Sequence, residues 1–281
     1  MSGAPTSTAT SPAPAAVAQA PCPSSFFDLA ESLADAARAE ILPHFRGRLI
    51  VERKADESPV TAIDRAAESA MRRLIAEICP DHGIVGEEFE QENVDAEYVW
   101  VLDPIDGTKR FITGNPLFGT LIALLRDGVP LLGVIDMPVL GERWLGATGR
   151  PTIRHDGRGI REVRVRPCAR LAEATVTATS PEMFEGRDLE GFHAVRQAAG
   201  LTLYGGDCFN YGSLAEGFVD LVIEAGMARH DYLALVPVVA GAGGIITDWR
   251  GGQLGLGSDG RVIAAGDRAV HEAATALIAG D

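Results

Sequence analysis

The sequence predicts a mixed α/β fold in two halves, on three observations. Apolar residues recur at helical spacing in two stretches between residues 27 and 78. Short apolar segments broken by turn residues follow, from residue 98 to residue 147. Beyond residue 150, strand-like and helix-like segments alternate, with helices of about 10–15 residues, the pattern of a layered α/β half. At 281 residues and 46% apolar, the chain can bury the core that one large or two medium domains need.

Residues 1–25, MSGAPTSTATSPAPAAVAQAPCPSS, are rich in Ala, Pro, Ser and Thr. They lack the basic and continuous apolar regions of a signal peptide and the arginines of a transit peptide, and read as a disordered tail. In FFDLAESLADAARAEILPHF the apolar residues Phe27, Ala30, Ala34, Ala37 and Ile41 form a helical stripe. Asp64 is placed to cap RAAESAMRRLIAEI, whose stripe is Ala67, Met71, Leu74, Ile75 and Ile78. YVWVLD, TLIALL, PLLGVIDMPV and ERWLGA then read as the strands of a meander. TGRPTIRHDGRG reads as a loop, which sets a boundary near residue 150 between an N-terminal half (26–150) and a C-terminal half (151–281). In the second half ATVTATS, LTLYGG, VDLVIEAG, IITDW and VIAAG read as strands. DLEGFHAVRQAAG, NYGSLAEG, HDYLALVPVVAGAGG and RAVHEAATALIAG read as helices. No internal repeat is visible.

The formal net charge of −14 argues against partners that need a basic face, such as nucleic acid or an anionic membrane. It does not exclude a phosphorylated small molecule, which divalent cations and backbone N–H groups can hold. Four widely spaced cysteines without a CxxC point to a reducing, cytoplasmic setting with neither disulfides nor structural zinc. No apolar run approaches the ~20 residues of a membrane helix.

The informative carboxylates stand where strands end. Glu87 and Glu88 follow IVG, Asp103 and Asp106 follow WVL, and Asp231 follows VDLVIEAG at a helix start. Ligands gather at strand ends in α/β architectures, and an all-oxygen donor set suits Mg²⁺ rather than zinc. Within DPIDGT, Pro104 turns the chain so that Asp103 and Asp106 face one point, with the Ile105 carbonyl between them. Gly107 removes a Cβ that would block a phosphate, and Thr108 supplies a hydroxyl and an N–H at a helix start. A single DxxD is ordinarily a solvated turn and a single Asp231 ordinarily a helix cap. The joint occurrence carries the reading.

Four blocks, KADESPVTAID (54–64), GEE (86–88), DPIDGTKRF (103–111) and HDYLALVPVVAGAGG (230–244), occur in the order of the inositol-monophosphatase-like family, which the chain resembles from about residue 26 onward. That resemblance implies a layered αβαβα sandwich and a lithium-sensitive phosphomonoesterase using two or three Mg²⁺ ions. It implies Glu87, Asp103, the Ile105 carbonyl, Asp106 and Asp231 as metal ligands, and Thr108, hydrogen-bonded to Asp64, as the group that activates water. It further implies the Gly107 and Thr108 amides as the phosphate cradle, and a homodimer.

The chain is most similar to the histidinol-phosphatase branch, and its Lys109-Arg110 and His230 depart from the inositol-type pattern. The expected substrate is L-histidinol phosphate, whose cationic end would be met by Asp207, Asn210 and Glu224. A 3′-phosphoadenosine-5′-phosphate phosphatase, a broad inositol or sugar monophosphatase, and a noncatalytic metal- or phosphate-binding regulator are the alternatives. Lys109, Arg110 and His230 receive no role.

Overall fold

The computed structural model describes residues 21–48, 50–53 and 59–280. Residues 1–20 and the Lys54–Ser58 part of the first motif block lie outside the described residues. Helix α1 (Ser24–Ile41) buries Leu29, Ala30, Leu33, Ala34, Ala37 and Ile41 on one face. Cys22 is buried and Ser24 opens the helix, so residues 21–25 belong to the folded body and not to the tail. Strand β1 (Val51–Arg53) pairs antiparallel with β2 (Pro59–Thr61), which leads into α2 (Ala62–Ile78).

Thr61, not Asp64, caps α2. The Thr61 Oγ1 accepts from the Ile63 N–H at 3.1 Å, while the Asp64 carboxylate accepts from the Thr61 N–H at 2.9 Å and its hydroxyl at 2.6 Å. This is a reciprocal capping box with the acid at the third helical position.

A seven-stranded sheet follows: β3 (Gly83–Gly86) runs parallel to β4 (Tyr98–Asp106), and after the short helix α3 (Thr108–Ile112) comes an antiparallel meander. Its strands are β5 (Gly119–Arg126), β6 (Val129–Met137), β7 (Glu142–Ala147), β8 (Arg150–Asp156) and β9 (Gly159–Glu162). Side chains alternate between two cores. Val99, Val101, Leu121 and Ala123 enter one, while Trp100, Leu102, Ile122 and Leu124 enter the other with α1 and α2.

The segment read as a loop around residue 150 is the hairpin β8–β9, so the sheet continues to Glu162 and the expected boundary falls inside it. Edge strands carry charged residues, which hid this one. Arg154 there bridges Glu142 at 2.5 Å, Asp156 at 2.6 Å and Glu216 at 3.1 Å.

The second half contains β10 (Thr175–Ala178), α4 (Gly186–Ala198), β11 (Leu201–Tyr204), α5 (Phe209–Ala215) and β12 (Leu221–Glu224). Next come α6 (Arg229–Tyr232), α7 (Leu235–Gly241), β13 (Ile245–Thr247), β14 (Val262–Ala265) and α8 (Arg268–Ala279). The five strands are ordered β11-β10-β12-β14-β13. Val222, Val262 and Ala264 face the first sheet, and Leu221, Ile223, Ile263 and Ala265 face α4 and α8. Helices α5 to α7 fill the space between the sheets, which completes the αβαβα layering. The single helix expected over 230–244 is two helices, and Asp231 is the third residue of α6 rather than its start. Among the described residues, no helix is long and apolar enough to cross a membrane.

Candidate active site

Asp103 and Asp106 are three apart on one strand, a spacing that would send their side chains to opposite faces. The strand is not turned there, as the sequence suggested, but bulged. Asp103 pairs with Leu121 and Asp106 with Gly119, so three steps on β4 match two on β5. The Thr120 hydroxyl donates to the Pro104 carbonyl at 2.8 Å and pins the bulge. Asp231 reaches the same place from α6, where its Oδ2 accepts from the Ala228 N–H at 2.7 Å. One ligand atom each from Asp103, Asp106 and Asp231 lies within 4.8 Å of the other two, and Glu87, Asp103 and His230 form a second such group.

This crowding has an electrostatic cost. Burial pushes the Asp103 carboxyl well above the usual carboxylate range, and the Glu87, Asp106 and Asp231 carboxylates push it further. Burial and then Asp231 raise Asp106 to about 6, against the Cys208 N–H that donates to its Oδ2 at 2.8 Å. The Asp103 Oδ1 is buried without a hydrogen-bond partner among the described residues. An orphaned carboxylate oxygen inside a ring of acids fits a hard divalent cation, which would satisfy the oxygen and offset the repulsion.

The water-activating pair departs from expectation: no hydrogen bond joins Thr108 to Asp64. The Thr108 hydroxyl donates to the Ile105 carbonyl at 3.1 Å, and the Asp64 carboxylate is held by Thr61. Each group takes a partner three residues away in sequence, the usual outcome for short polar side chains near backbone. Burial raises the Asp64 pKa, so the group accepts a proton more readily than an exposed aspartate. Gly107 stands at φ +82°, a conformation that suits glycine, with its would-be Cβ 3.3 Å from Asp207 Cγ.

Beside the carboxylates lies a cavity of about 140 Å³, lined among others by Asp106, Thr179, Met183, Asp207, Tyr211 and Glu224. Glu224, at the end of β12, is buried; its Oε1 accepts from the Thr179 hydroxyl at 2.5 Å and N–H at 3.1 Å, and its Oε2 from the Tyr211 hydroxyl at 3.1 Å. Burial dominates over those donors and lifts Glu224 to about 7.

Asp207 has a partner within the protein, the Arg110 guanidinium, and is not an unpaired acid awaiting a cation. Asn210 does not line the cavity. Its Oδ1 lies 2.3 Å from where a Cβ on Gly206 would sit, and its Nδ2 is buried without a partner among the described residues. Sequence reasoning missed Thr179 and Tyr211. Thr179 directly follows β10 and could have been found by the strand-end rule that found the acids. Tyr211, inside α5, carried no such signal.

The inositol monophosphatase family model matches residues 23–280. The chain belongs to the inositol monophosphatase family. It is an enzyme, a metal-dependent phosphatase acting on small phosphate esters. A bifunctional phosphatase of Arabidopsis thaliana, IMPL2, named as chloroplastic, is 46% identical over 258 residues, covering 89% of this chain and 73% of that protein. A histidinol-phosphatase of Mycobacterium tuberculosis is 37% identical over 80% of this chain and 88% of its own length. The structure of an inositol monophosphatase from Zymomonas mobilis superposes with a TM-score of 0.83 at 45% identity, over 91% of this chain and 98% of that one. The family is metal-dependent, and the two acidic groups around Asp103 could hold a metal ion.

Proposed function

We propose that the protein is a Mg²⁺-dependent phosphatase of L-histidinol phosphate, and that Glu87, Asp103, the Ile105 carbonyl, Asp106 and Asp231 hold the metal. The observation that carries the substrate is the buried carboxylate of Glu224 in the wall of the cavity beside the metal carboxylates. A phosphate seated at the acidic ring would leave its organic part facing that wall. An ammonium or imidazolium there would gain a charge-assisted contact, and its positive charge would keep Glu224 ionised. Relatives named histidinol-phosphatase, at 37% identity in two bacteria, support the same reading.

When bound, the cation would supply Lewis-acid stabilisation of the phosphoryl and leaving oxygens and lower the pKa of a bound water. The chain does the positioning. The Gly107 and Thr108 amides would take phosphate oxygens at the turn into α3, and the Thr108 hydroxyl, tethered to Ile105, would orient the attacking water. Asp64, with its raised pKa, would take up the proton. Inhibition by Li⁺, a homodimer and a cytoplasmic location complete the proposal; the compartment is open to a direct localisation test, since the Arabidopsis relative is named chloroplastic.

A second reading, inositol monophosphate hydrolysis, is favoured by the 45% identity to the Zymomonas inositol monophosphatase. Phosphate release with Mg²⁺ from L-histidinol phosphate, inositol 1-phosphate and 3′-phosphoadenosine 5′-phosphate separates the readings. The proposal expects a preference for histidinol phosphate of at least ~100-fold in kcat/KM, roughly 2.7 kcal/mol. A preference for inositol 1-phosphate would install the second reading.

A further inference from the structure

Glu68 is fully buried on α2 and belongs to none of the groups described above. A buried carboxylate is costly unless it is paired and hydrogen-bonded, and this one is bound at both oxygens. Its Oε1 accepts from Arg72 Nε at 2.7 Å, and its Oε2 from the backbone N–H of Glu88 at 2.8 Å. The approach is possible only because residue 86 is glycine: a Cβ there would lie 1.8 Å from Glu68 Oε1.

Arg72 continues the contact outward. It donates to the carbonyls of Phe89 at 3.4 Å and Glu90 at 3.0 Å and to the Glu92 carboxylate at 2.8 Å. Glu92 in turn exchanges two backbone hydrogen bonds of 2.8 Å with Ile84 of β3. The segment that leaves β3 is therefore bound to α2 immediately after Glu87, and Glu87 is the residue between Gly86 and the tethered N–H.

We propose that Glu68 and Arg72 are positioning residues for metal binding: they fix the backbone immediately after Glu87, while β3 pairing holds Gly86 before it, and thereby aim the Glu87 carboxylate at the cluster it forms with Asp103. The need follows from the charge in the ring. Acids facing one another repel, and an untethered loop would let Glu87 swing to solvent, so its contribution to cation affinity depends on a backbone that cannot yield. The inference rests on Glu87 being a metal ligand. It adds residues that do not touch the metal.

The test compares Mg²⁺ affinity, by calorimetry and by the Mg²⁺-induced rise in Tm, for the native protein and the variants Glu87→Gln, Glu68→Gln and Arg72→Gln. The expected result is a Kd for Mg²⁺ raised about tenfold or more by Glu68→Gln and Arg72→Gln. Their kcat at saturating Mg²⁺ should stay within about threefold of native, and Arg72→Lys should restore part of the affinity. If Glu68→Gln does not fold, Arg72→Gln decides alone, because it leaves the bond from Glu88 to Glu68 in place. Native Mg²⁺ affinity with a lowered metal-free Tm would reduce both residues to structural supports and overturn the proposal. Native affinity in Glu87→Gln would instead remove Glu87 from the metal site, and the inference with it.

Discussion

Arg110 closes on Asp207 beside the cavity, joining residues 97 apart: one in α3, the other just before α5. Both side chains are largely shielded, 21% and 14% exposed. Asp207 sits at φ +48°, and a Cβ on the neighbouring Gly205 would lie 2.9 Å from the guanidinium. The loop is thus shaped around the ion pair, and Asp207 reaches the cavity with its charge already compensated.

Asp207→Asn is accordingly expected to lower kcat about tenfold on every ester, by loosening Gly107 and stranding the Arg110 charge. The ratio of kcat/KM between histidinol phosphate and inositol 1-phosphate should change less than about threefold. Arg110→Gln combined with Asp207→Asn should recover part of the loss, since two amides can still hydrogen-bond. Steady-state kinetics on the four proteins checks it. A loss confined to histidinol phosphate would return Asp207 to direct contact with a cationic substrate.

Glu224→Gln should act selectively. Removing the charge that faces the organic part of the substrate is expected to cost histidinol phosphate about 10- to 100-fold in kcat/KM, or roughly 1.4–2.7 kcal/mol. Inositol 1-phosphate should lose less than about threefold. Competition between the two esters in one reaction reads the ratio directly, and an unchanged ratio would count against the pocket assignment.

Asp103→Asn should abolish hydrolysis, by on the order of 10³-fold or more, while raising the Tm of the metal-free protein by a few degrees. The two effects have one cause: the amide keeps the shape but removes a buried negative charge that only a cation offsets. Calorimetry with and without Mg²⁺ separates them, and the variant should lose most of the Mg²⁺-induced rise in Tm.

The pH dependence of metal-free stability follows from the raised acids. Asp106 titrates at about 6 and Glu224 at about 7 in the folded protein, against about 4 for both types when unfolded. Between those limits the folded state binds more protons, so the stability these groups contribute falls as pH rises from about 4 to about 7 and is level above. The metal-free Tm should drop between pH 5 and pH 8, and Mg²⁺ should restore more at pH 8. A metal-free Tm that climbs across this range would contradict the folded-state values.

Away from the site, Asp136 is fully buried and accepts from Arg38 at 2.6 Å and Arg143 at 2.7 Å, joining α1 to β6 and β7. Asp136→Asn should cost about 3 kcal/mol in urea unfolding, because Arg143 stays buried with less compensation. Activity per folded molecule should hold. A change of less than about 1 kcal/mol would show that Asp35, 2.6 Å from Arg143, carries the pairing alone.

Much of this arrangement could be read in order along the chain. Phe27 to Ile41 and Ala67 to Ile78 gave two helices because a buried face must repeat every 3.6 residues. The meander from Tyr98 to Ala147 was visible because its strands are apolar enough to face two cores. The hairpin after Arg150 was not, because an edge strand with arginines and aspartates has the composition of a loop. Asp64 was placed correctly on α2 but given the cap that Thr61 takes, a shift of one helical turn that composition alone does not resolve.

Sequence alone determined the chemistry on offer: oxygen ligands at strand ends, a glycine and a threonine after Asp106, and motif blocks in the order of one phosphatase family. Tertiary structure decided the partners. Local periodicity constrains residues a few positions apart, whereas the state of a carboxylate depends on whatever other elements bring beside it. Asp207 meets Arg110, Glu68 meets the Glu88 N–H, and Glu224 meets Thr179 and Tyr211, each through folding and none through spacing. In a low-dielectric interior those neighbours set which acids are neutralised within the protein and which are left for a metal or a substrate.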